Sequence, residues 1–204
     1  EKALGELQQL YETIDRDLVE AGKLQQSLIP VPDLLLSNGR VSVQLQSAGH
    51  VGGDLPGYFR FSQDRLALYS IDVSGHGVCS ALLAARLAGN MSGQDKSQNV
   101  AFERMSDGSY RFLSPAQIAS LLNERLLKEI DTDLYFTLAF ADIDLTTGQV
   151  FLVQAGHPRP VVLDALGGVT YHGNGGFPIG VVEGATFDTT EFALEPGDRL
   201  MLFT

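Results

Sequence analysis

The chain has 204 residues, of which 44% are apolar and 19% charged, and it carries a net charge of −11. This composition is typical of one globular domain with a sizeable core. The negative charge argues against nucleic acid or an anionic membrane as the main partner, because both require clustered Lys and Arg. No apolar run approaches the length of a membrane span.

The single cysteine and the first residue set two further expectations. A lone Cys79 excludes an internal disulfide and favours a cytoplasmic protein. The apolar neighbours of Cys79 predict that its side chain is buried. Because the sequence begins with Glu1 rather than Met, we expect it to be part of a longer chain.

Residues 4–28 carry a heptad pattern of apolar side chains. This pattern is compatible with an amphipathic helix packed on its own domain, and it favours a parallel coiled coil that joins two copies of the chain and couples them to an upstream segment. Pro30 and Pro32 end the helix. We therefore expect a linker helix over residues 1–30 and a separate domain over residues 31–204. The seam consists of Leu4, Leu7, Tyr11, Ile14, Leu18, Ala21, Gln25 and Leu28.

The remainder of the chain predicts many short strands and two helices. Helices are expected over 77–89 and 115–129, the second with Ser114 as its N-cap, and a long polar loop over 90–109. Close strand spacing with only two helices indicates an α+β fold with antiparallel sheets rather than a βαβ array. The expected strands are 41–46, 58–61, 65–72, 135–142, 150–154, 160–164, 168–172, 186–193 and 199–203.

Two aspartates, Asp54 and Asp72, stand where a predicted strand meets a glycine-rich bend. In one interpretation they are ordinary turn and cap residues. In the other, they are hard oxygen ligands with room for a cation and its waters. The sequence contains no nucleophile elbow, phosphate-binding glycine loop or zinc-ligand spacing. Carboxylates are therefore the candidate catalytic groups.

These motifs resemble the SpoIIE/RsbU branch of the metal-dependent protein phosphatase 2C family, which occurs in bacterial stress-response regulators, including those of the RssB type. The resemblance covers residues 21–204 and rests on several motifs in the same order. They are QQSLIP (25–30), VGGD (51–54), DVSGHG (72–77), FTL (136–138), AGHP (155–158), GFPIG (176–180) and LEPGDRL (194–200).

The resemblance implies a fold and a metal site. The fold would be a four-layer αββα sandwich, with two antiparallel sheets between helices and the N-terminal linker helix in front. Two Mn²⁺ or Mg²⁺ ions would be held in the complete domain, with Asp72 bridging them, Val73 giving its carbonyl and Asp54 binding the second ion. A metal-bound water would be the nucleophile. His76 would be a proton donor to the leaving oxygen, although a plain role in its turn is the alternative.

The chain also departs from the family pattern. Gly57 stands where the family has a second aspartate after GGD, which suggests that support for the metal site is lost. Gln154 stands where the family has Asn. The sequence stops at Thr204, just before the family's third acidic motif. We therefore expect a C-terminally incomplete phosphatase domain that is inactive by itself.

Two functions follow from the resemblance. The first is a serine/threonine protein phosphatase that acts on a phosphorylated anti-sigma factor antagonist and is switched by an upstream receiver or sensor domain. The second is a degenerate phosphatase fold that binds a sigma factor as an adaptor in a response regulator. In both, the N-terminal helix would form a homodimer, and neither nucleic acid nor a membrane would be a partner.

Overall fold

A computed structural model describes residues 2–47, 49–130 and 132–204 of the chain. Its helices are α1 (Lys2–Gln26), α2 (Val78–Asn90) and α3 (Pro115–Glu129). Its strands are β1 (Asp33–Leu36), β2 (Gly39–Ser42), β3 (Asp54–Arg60), β4 (Arg65–Val73), β5 (Phe102–Arg104), β6 (Tyr110–Phe112), β7 (Phe136–Asp144), β8 (Gln149–Ala155), β9 (Val161–Leu163), β10 (Val169–Tyr171), β11 (Thr189–Ala193) and β12 (Arg199–Met201).

A five-stranded sheet in the order β11-β8-β7-β4-β3 forms the centre of the molecule. Every neighbouring pair in this sheet is antiparallel. The central strands β4 and β7 are buried along most of their length. Their near-continuous apolar sequences fit that position, because both of their faces are covered.

The two faces of this sheet are covered by different elements. On one face α2 and α3 contact β3, β4, β7 and β8 and enclose the larger apolar core. On the other face a smaller core around Ile143, Val150 and Leu152 packs against Leu200 of β12. β12 belongs to a second antiparallel sheet, in the order β10-β9-β12. The α+β class with antiparallel sheets is thus confirmed, and the four-layer arrangement stays a prediction.

α3 begins where the sequence predicts, at Pro115, and ends at Glu129. Ser114 Oγ accepts a hydrogen bond from the Gln117 amide at 3.4 Å, and Gln117 Oε1 accepts one from the Ser114 amide at 3.0 Å. This reciprocal capping box pairs two backbone donors that would otherwise have no partner in the first turn. The helix is therefore anchored by its own sequence before it packs on the sheet.

Three local predictions were wrong. The strand predicted over 41–46 is instead the end of a β1–β2 hairpin that stops at Ser42. The loop predicted over 90–109 contains β5, which pairs with β6. Phe112 of β6 stacks on Phe61, the residue after β3, with ring centroids 3.7 Å apart. This contact anchors the hairpin beside the main sheet. Cys79 is exposed, since this face of α2 points to solvent.

α1 fits each of the two alternatives for the heptad seam in part. Its N-terminal half presents an exposed apolar stripe, with Leu7 48% and Ile14 47% exposed. Near its C-terminal end Gln25 is its one buried side chain and contacts the domain of the same chain. Dimerisation and the division into a linker (1–30) and a domain (31–204) stay predictions. Among the described helices, none is both long and apolar enough to cross a membrane.

Candidate metal centre

The hairpin formed by β3 and β4 brings Asp54 and Asp72 together. The two residues are direct partners in the antiparallel register. Directly opposite residues point to the same face of a sheet, with Cβ atoms about 4.5–5.5 Å apart. Two carboxylates predicted from separate motifs therefore lie side by side on the face that the second sheet covers.

The electrostatics of this pair favour a cation. Partial burial, followed by repulsion from the Asp54 carboxylate, raises the pKa of Asp72 above its ordinary value. In the described part of the chain, no Lys, Arg or His pairs with either carboxylate. A divalent ion would neutralise both negative charges and remove their repulsion.

Gly53 allows the ends of β3 and β4 to approach closely. The Val73 amide donates a hydrogen bond to the Gly53 carbonyl at 3.3 Å. A Cβ atom at position 53 would lie only 2.5 Å from the Val73 carbonyl oxygen. That oxygen is the backbone ligand that the resemblance implies, so glycine is required for the predicted ligands to lie on adjacent strands.

The donor set fits a hard cation but is small. Carboxylate and carbonyl oxygens are the ligands that Mg²⁺ and Mn²⁺ prefer, whereas zinc sites use nitrogen and sulfur. Over residues 2–47, 49–130 and 132–204, no group of three or more His, Cys, Asp or Glu side chains could hold a metal ion. Asp54, Asp72 and the Val73 carbonyl therefore supply part of a coordination shell.

Among the described residues, His76 makes no hydrogen bond or ion pair with Asp54 or Asp72. It is exposed in the turn between β4 and α2, where Gly75 and Gly77 both have positive φ angles. The turn is held against α2, because Ser80 Oγ of that helix donates a hydrogen bond to the Ser74 carbonyl at 3.1 Å. The role of His76 as a proton donor stays a prediction.

Gly57 lies on the opposite face of β3 from Asp54, and this corrects the inference drawn from its departure from the family pattern. A Cβ atom at position 57 would meet the ring of Tyr69, its partner on β4, at 2.3 Å. Tyr69 belongs to the core that α2 and α3 cover. In this register, Gly57 therefore removes no ligand from the face that carries Asp54 and Asp72.

The sequence analysis missed a threonine–histidine pair beside the site. Thr137 of β7 is the direct partner of Asp72 on the other side of β4. Thr137 Oγ1 is hydrogen-bonded to His157 Nδ1 at 2.8 Å. Burial lowers the pKa of His157 to about 4, and a backbone group of Phe203 acts weakly in the opposite direction. The AGHP motif drew attention to His157, but no sequence signal linked it to Thr137.

The sequence analysis also missed a contact between α1 and the loop that leads to Asp54. Gln25 Nε2 donates to the Gly52 carbonyl at 2.6 Å, and the Gly52 amide donates to Gln25 Oε1 at 3.0 Å. Nearer the N-terminus of the helix, Asp15 Oδ1 lies 2.9 Å from His50 Nε2. The linker helix thus contacts the segment immediately before a candidate ligand.

A cavity of about 310 Å³ lies beside Asp54. One wall comes from β3 and β4, and the other from the segment that follows β12. This cavity is large enough for ions, water and a phosphate group. Its lining residues are Gln44, Leu45, Gln46, Asp54, Pro56, Ser70, Leu202, Phe203 and Thr204.

Comparison with known protein families identifies the family of the chain. The family model described as Stage II sporulation protein E (SpoIIE) matches residues 62–204, which is well over half of the chain. The chain belongs to the SpoIIE family. The resemblance to the SpoIIE/RsbU branch predicted from the sequence motifs is thereby confirmed.

A curated relative of this SpoIIE family member has a known activity. Phosphoserine phosphatase RsbP of Bacillus subtilis is 26% identical over 203 residues, which cover 97% of the chain and 46% of RsbP. The chain therefore spans less than half the length of that relative.

Solved structures support the fold of this SpoIIE family member. The SiaA-PP2C domain of Pseudomonas aeruginosa has a TM-score of 0.67 at 17% identity, covering 94% of this chain and 71% of that one. The RsbU and RsbW domains of Rv1364c from Mycobacterium tuberculosis give a TM-score of 0.58 at 24% identity, covering 76% of this chain and 39% of that one. The predicted α+β class is therefore also that of its structural neighbours.

Proposed function

We propose that this chain is the metal-dependent serine/threonine protein phosphatase domain of a bacterial signalling regulator. The observation that carries the proposal is the register of the β3–β4 hairpin, which pairs Asp54 with Asp72. Among the residues that the structure describes, neither carboxylate has a cationic partner. Membership of the SpoIIE family and the similarity to phosphoserine phosphatase RsbP support the same activity.

Different residues would bind the metal ion and the phosphoester. Asp54, Asp72 and the Val73 carbonyl would hold Mn²⁺ or Mg²⁺. When bound, such ions neutralise phosphate charge and lower the pKa of water. The cavity beside Asp54 would admit the phosphoester, and its Ser70 hydroxyl and Gln44 and Gln46 amides offer polar groups to orient it.

We propose a phosphorylated regulatory protein, and specifically an anti-sigma factor antagonist, as the substrate. The similarity to phosphoserine phosphatase RsbP supports phosphoserine as the residue that is dephosphorylated. An upstream receiver or sensor domain would control the site through α1, and the contact of Gln25 with Gly52 supports that route. We place the protein in the cytoplasm.

The test compares Mg²⁺ binding in the wild type, Asp72→Asn and Asp54→Asn. Asp72→Asn keeps the shape of the side chain but removes its charge, so it should abolish Mg²⁺ binding, and Asp54→Asn should weaken it. Because so few ligands are described, residues 1–204 should bind at most one ion and show no turnover of a phosphoserine protein. NMR titration measures the binding. Mg²⁺ binding by Asp72→Asn that equals that of the wild type would contradict the proposal.

One observation favours the second candidate function, a phosphatase fold that acts as an adaptor for a sigma factor. The described residues offer a pair of carboxylates rather than a cluster of three acidic or other side-chain ligands. An adaptor needs no turnover, and its binding to a partner would be unaffected by Asp72→Asn. A phosphatase-competent longer chain that loses activity in Asp72→Asn would exclude the adaptor.

A further inference from the structure

His157 lies between the two sheets at the end that carries the candidate ligands. On one side, its Nδ1 is hydrogen-bonded to Thr137 Oγ1, and Thr137 is the cross-strand partner of Asp72 in the main sheet. On its other side lies the backbone of Phe203, which follows β12 of the second sheet. Phe203 lines the cavity opposite Asp54. The imidazole ring therefore lies between Thr137, next to one wall, and Phe203, which is part of the other.

The ring is buried and its position is fixed. His157 is 3% exposed, and its carbonyl accepts a hydrogen bond from Gln154 Nε2. The preceding Gly156 has a φ of +66°, and a Cβ atom there would lie 2.7 Å from Pro178 Cγ. The backbone around His157 is thus held between the end of β8 and the loop before Ile179.

One ring nitrogen has no partner. In the part of the chain that the structure describes, Nε2 of His157 is buried and makes no hydrogen bond of normal distance and angle. The Phe203 backbone nevertheless lies close enough to the ring to favour its protonated form. A buried polar group without a partner costs about 1–3 kcal/mol, and such groups are rare unless they have a function. Because burial keeps the ring neutral, it carries one N–H. If Thr137 Oγ1 donates to Nδ1, that N–H is on Nε2 and faces the Phe203 side.

We propose that His157 is a positioning residue that sets the distance between the two walls of the metal site, with Thr137 and the Phe203 carbonyl as its two contacts. This inference rests on the proposed function. Thr137 donates to Nδ1, and the Nε2–H group is directed at the backbone of the second sheet. With a divalent ion held by Asp54, Asp72 and the Val73 carbonyl, the Nε2–H group would donate to the Phe203 carbonyl and keep the two walls at one distance. His157 contacts neither the ion nor the substrate.

The chain provides matched variants for a test. Thr137→Val removes the hydroxyl donor at nearly constant shape, and Thr137→Ser keeps it. Thr170 is hydrogen-bonded to His172 at 3.2 Å on the exposed β10, so Thr170→Val breaks a second threonine–histidine pair away from the site. Changes in groups that orient metal ligands typically reduce affinity about 10- to 100-fold. We expect that loss in Thr137→Val and His157→Phe, and wild-type affinity in Thr137→Ser and Thr170→Val.

The readout is NMR on the 204-residue chain titrated with Mg²⁺, with thermal unfolding measured in parallel. The imidazole nitrogen signals should identify the Nε2–H tautomer of His157, and this N–H should shift on Mg²⁺ addition in wild type but not in Asp72→Asn. A purely structural role would lower the melting temperature without moving Mg²⁺ affinity or this signal.

Each outcome decides the proposal. An Nδ1–H tautomer, or wild-type Mg²⁺ affinity in Thr137→Val, overturns the role of His157 and leaves the proposed function intact, provided that Asp72→Asn abolishes binding. Loss of affinity in every variant, including Thr170→Val, in proportion to loss of stability also overturns it. No Mg²⁺ binding by the wild-type chain overturns both this inference and the metal site.

Discussion

At the scale of single residues, the candidate metal centre depends on how closely two strand ends approach each other. Gly53 lies against the Val73 carbonyl, where a Cβ atom would be 2.5 Å from the oxygen. The contact is with backbone, so a side chain at position 53 can be accommodated only if a strand end moves. Such a movement would shift Asp54 and the Val73 carbonyl relative to each other.

We therefore predict that Gly53→Ala destabilises the chain by about 1–3 kcal/mol, as overpacking of a closed contact does. It should also weaken Mg²⁺ binding, because the ligands no longer keep their spacing. Gly39→Ala is the control, since Gly39 lies on the exposed β2 with nothing within 4 Å of its added Cβ atom. Urea unfolding and Mg²⁺ titration measure both effects, and equal behaviour of the two variants would contradict the prediction.

Residue-level prediction from the sequence succeeded where a local pattern carried the information. The glycines before Asp54 and after Asp72 predicted that two carboxylates stand where strands meet glycine-rich bends, and the register of β3 and β4 pairs these residues. The positions of Gly57 and His157 could not be predicted in this way. Whether Gly57 faces Tyr69 or the site depends on the cross-strand register, and the partner of His157 is twenty residues away in the sequence.

At the scale of elements, the turn between β7 and β8 has a carboxylate as its anchor. Asp144 Oδ1 accepts hydrogen bonds from the Thr146 amide at 2.9 Å, from Thr146 Oγ1 at 2.6 Å and from the Thr147 amide at 3.1 Å. These bonds stabilise the ionised form and lower the pKa of Asp144 to about 2. Protonation would weaken all of them.

The sign of the resulting pH dependence follows from linkage. The pKa of Asp144 is about 2 in the folded chain, below its ordinary value of 3.8. The stabilising contribution of the ionised carboxylate is therefore fully present above pH 3.8 and is lost as the pH falls towards 2. Asp144→Asn keeps an acceptor oxygen but cannot be protonated. The free energy of unfolding of the Asp144→Asn variant should therefore fall less than that of the wild type between pH 4 and pH 2.

The measurement is denaturant unfolding of both chains across that acid range. Thr146→Val provides an independent check, since it removes one donor and should make the acid loss shallower without changing the charge of the turn. An acid dependence identical in Asp144→Asn and wild type would contradict the assignment.

Elements with strong local signals were predicted well, and those that depend on distant contacts were not. α3 was predicted from its capping residues and apolar face, and the structure has the same bounds. The β5–β6 hairpin was missed because the segment between its short strands is polar and because its position depends on the stacking of Phe112 on Phe61, the residue after β3. The predicted strand over 41–46 failed because its alternation continues beyond Ser42, where pairing with β1 ends.

At the scale of the whole molecule, α1 connects an exposed apolar surface to the candidate metal centre. Its first half presents Leu4, Leu7, Tyr11 and Ile14, which are all largely exposed. Its end holds the Gly52 backbone through Gln25. A partner helix on the exposed half would therefore be linked through α1 to the loop that leads to Asp54. The heptad spacing of the exposed residues favours a second copy of α1 as that partner.

We predict that the chain dimerises through α1 and that Leu7→Asp combined with Ile14→Asp yields a monomer. These positions lie one heptad apart on the seam, and a dimer would have to bury four carboxylates there without partners. Leu24→Asp is the control, because Leu24 is 71% exposed but lies off the seam. Sedimentation equilibrium distinguishes the states. A dimer that persists in the double variant, or in a chain lacking residues 1–28, would place the interface elsewhere.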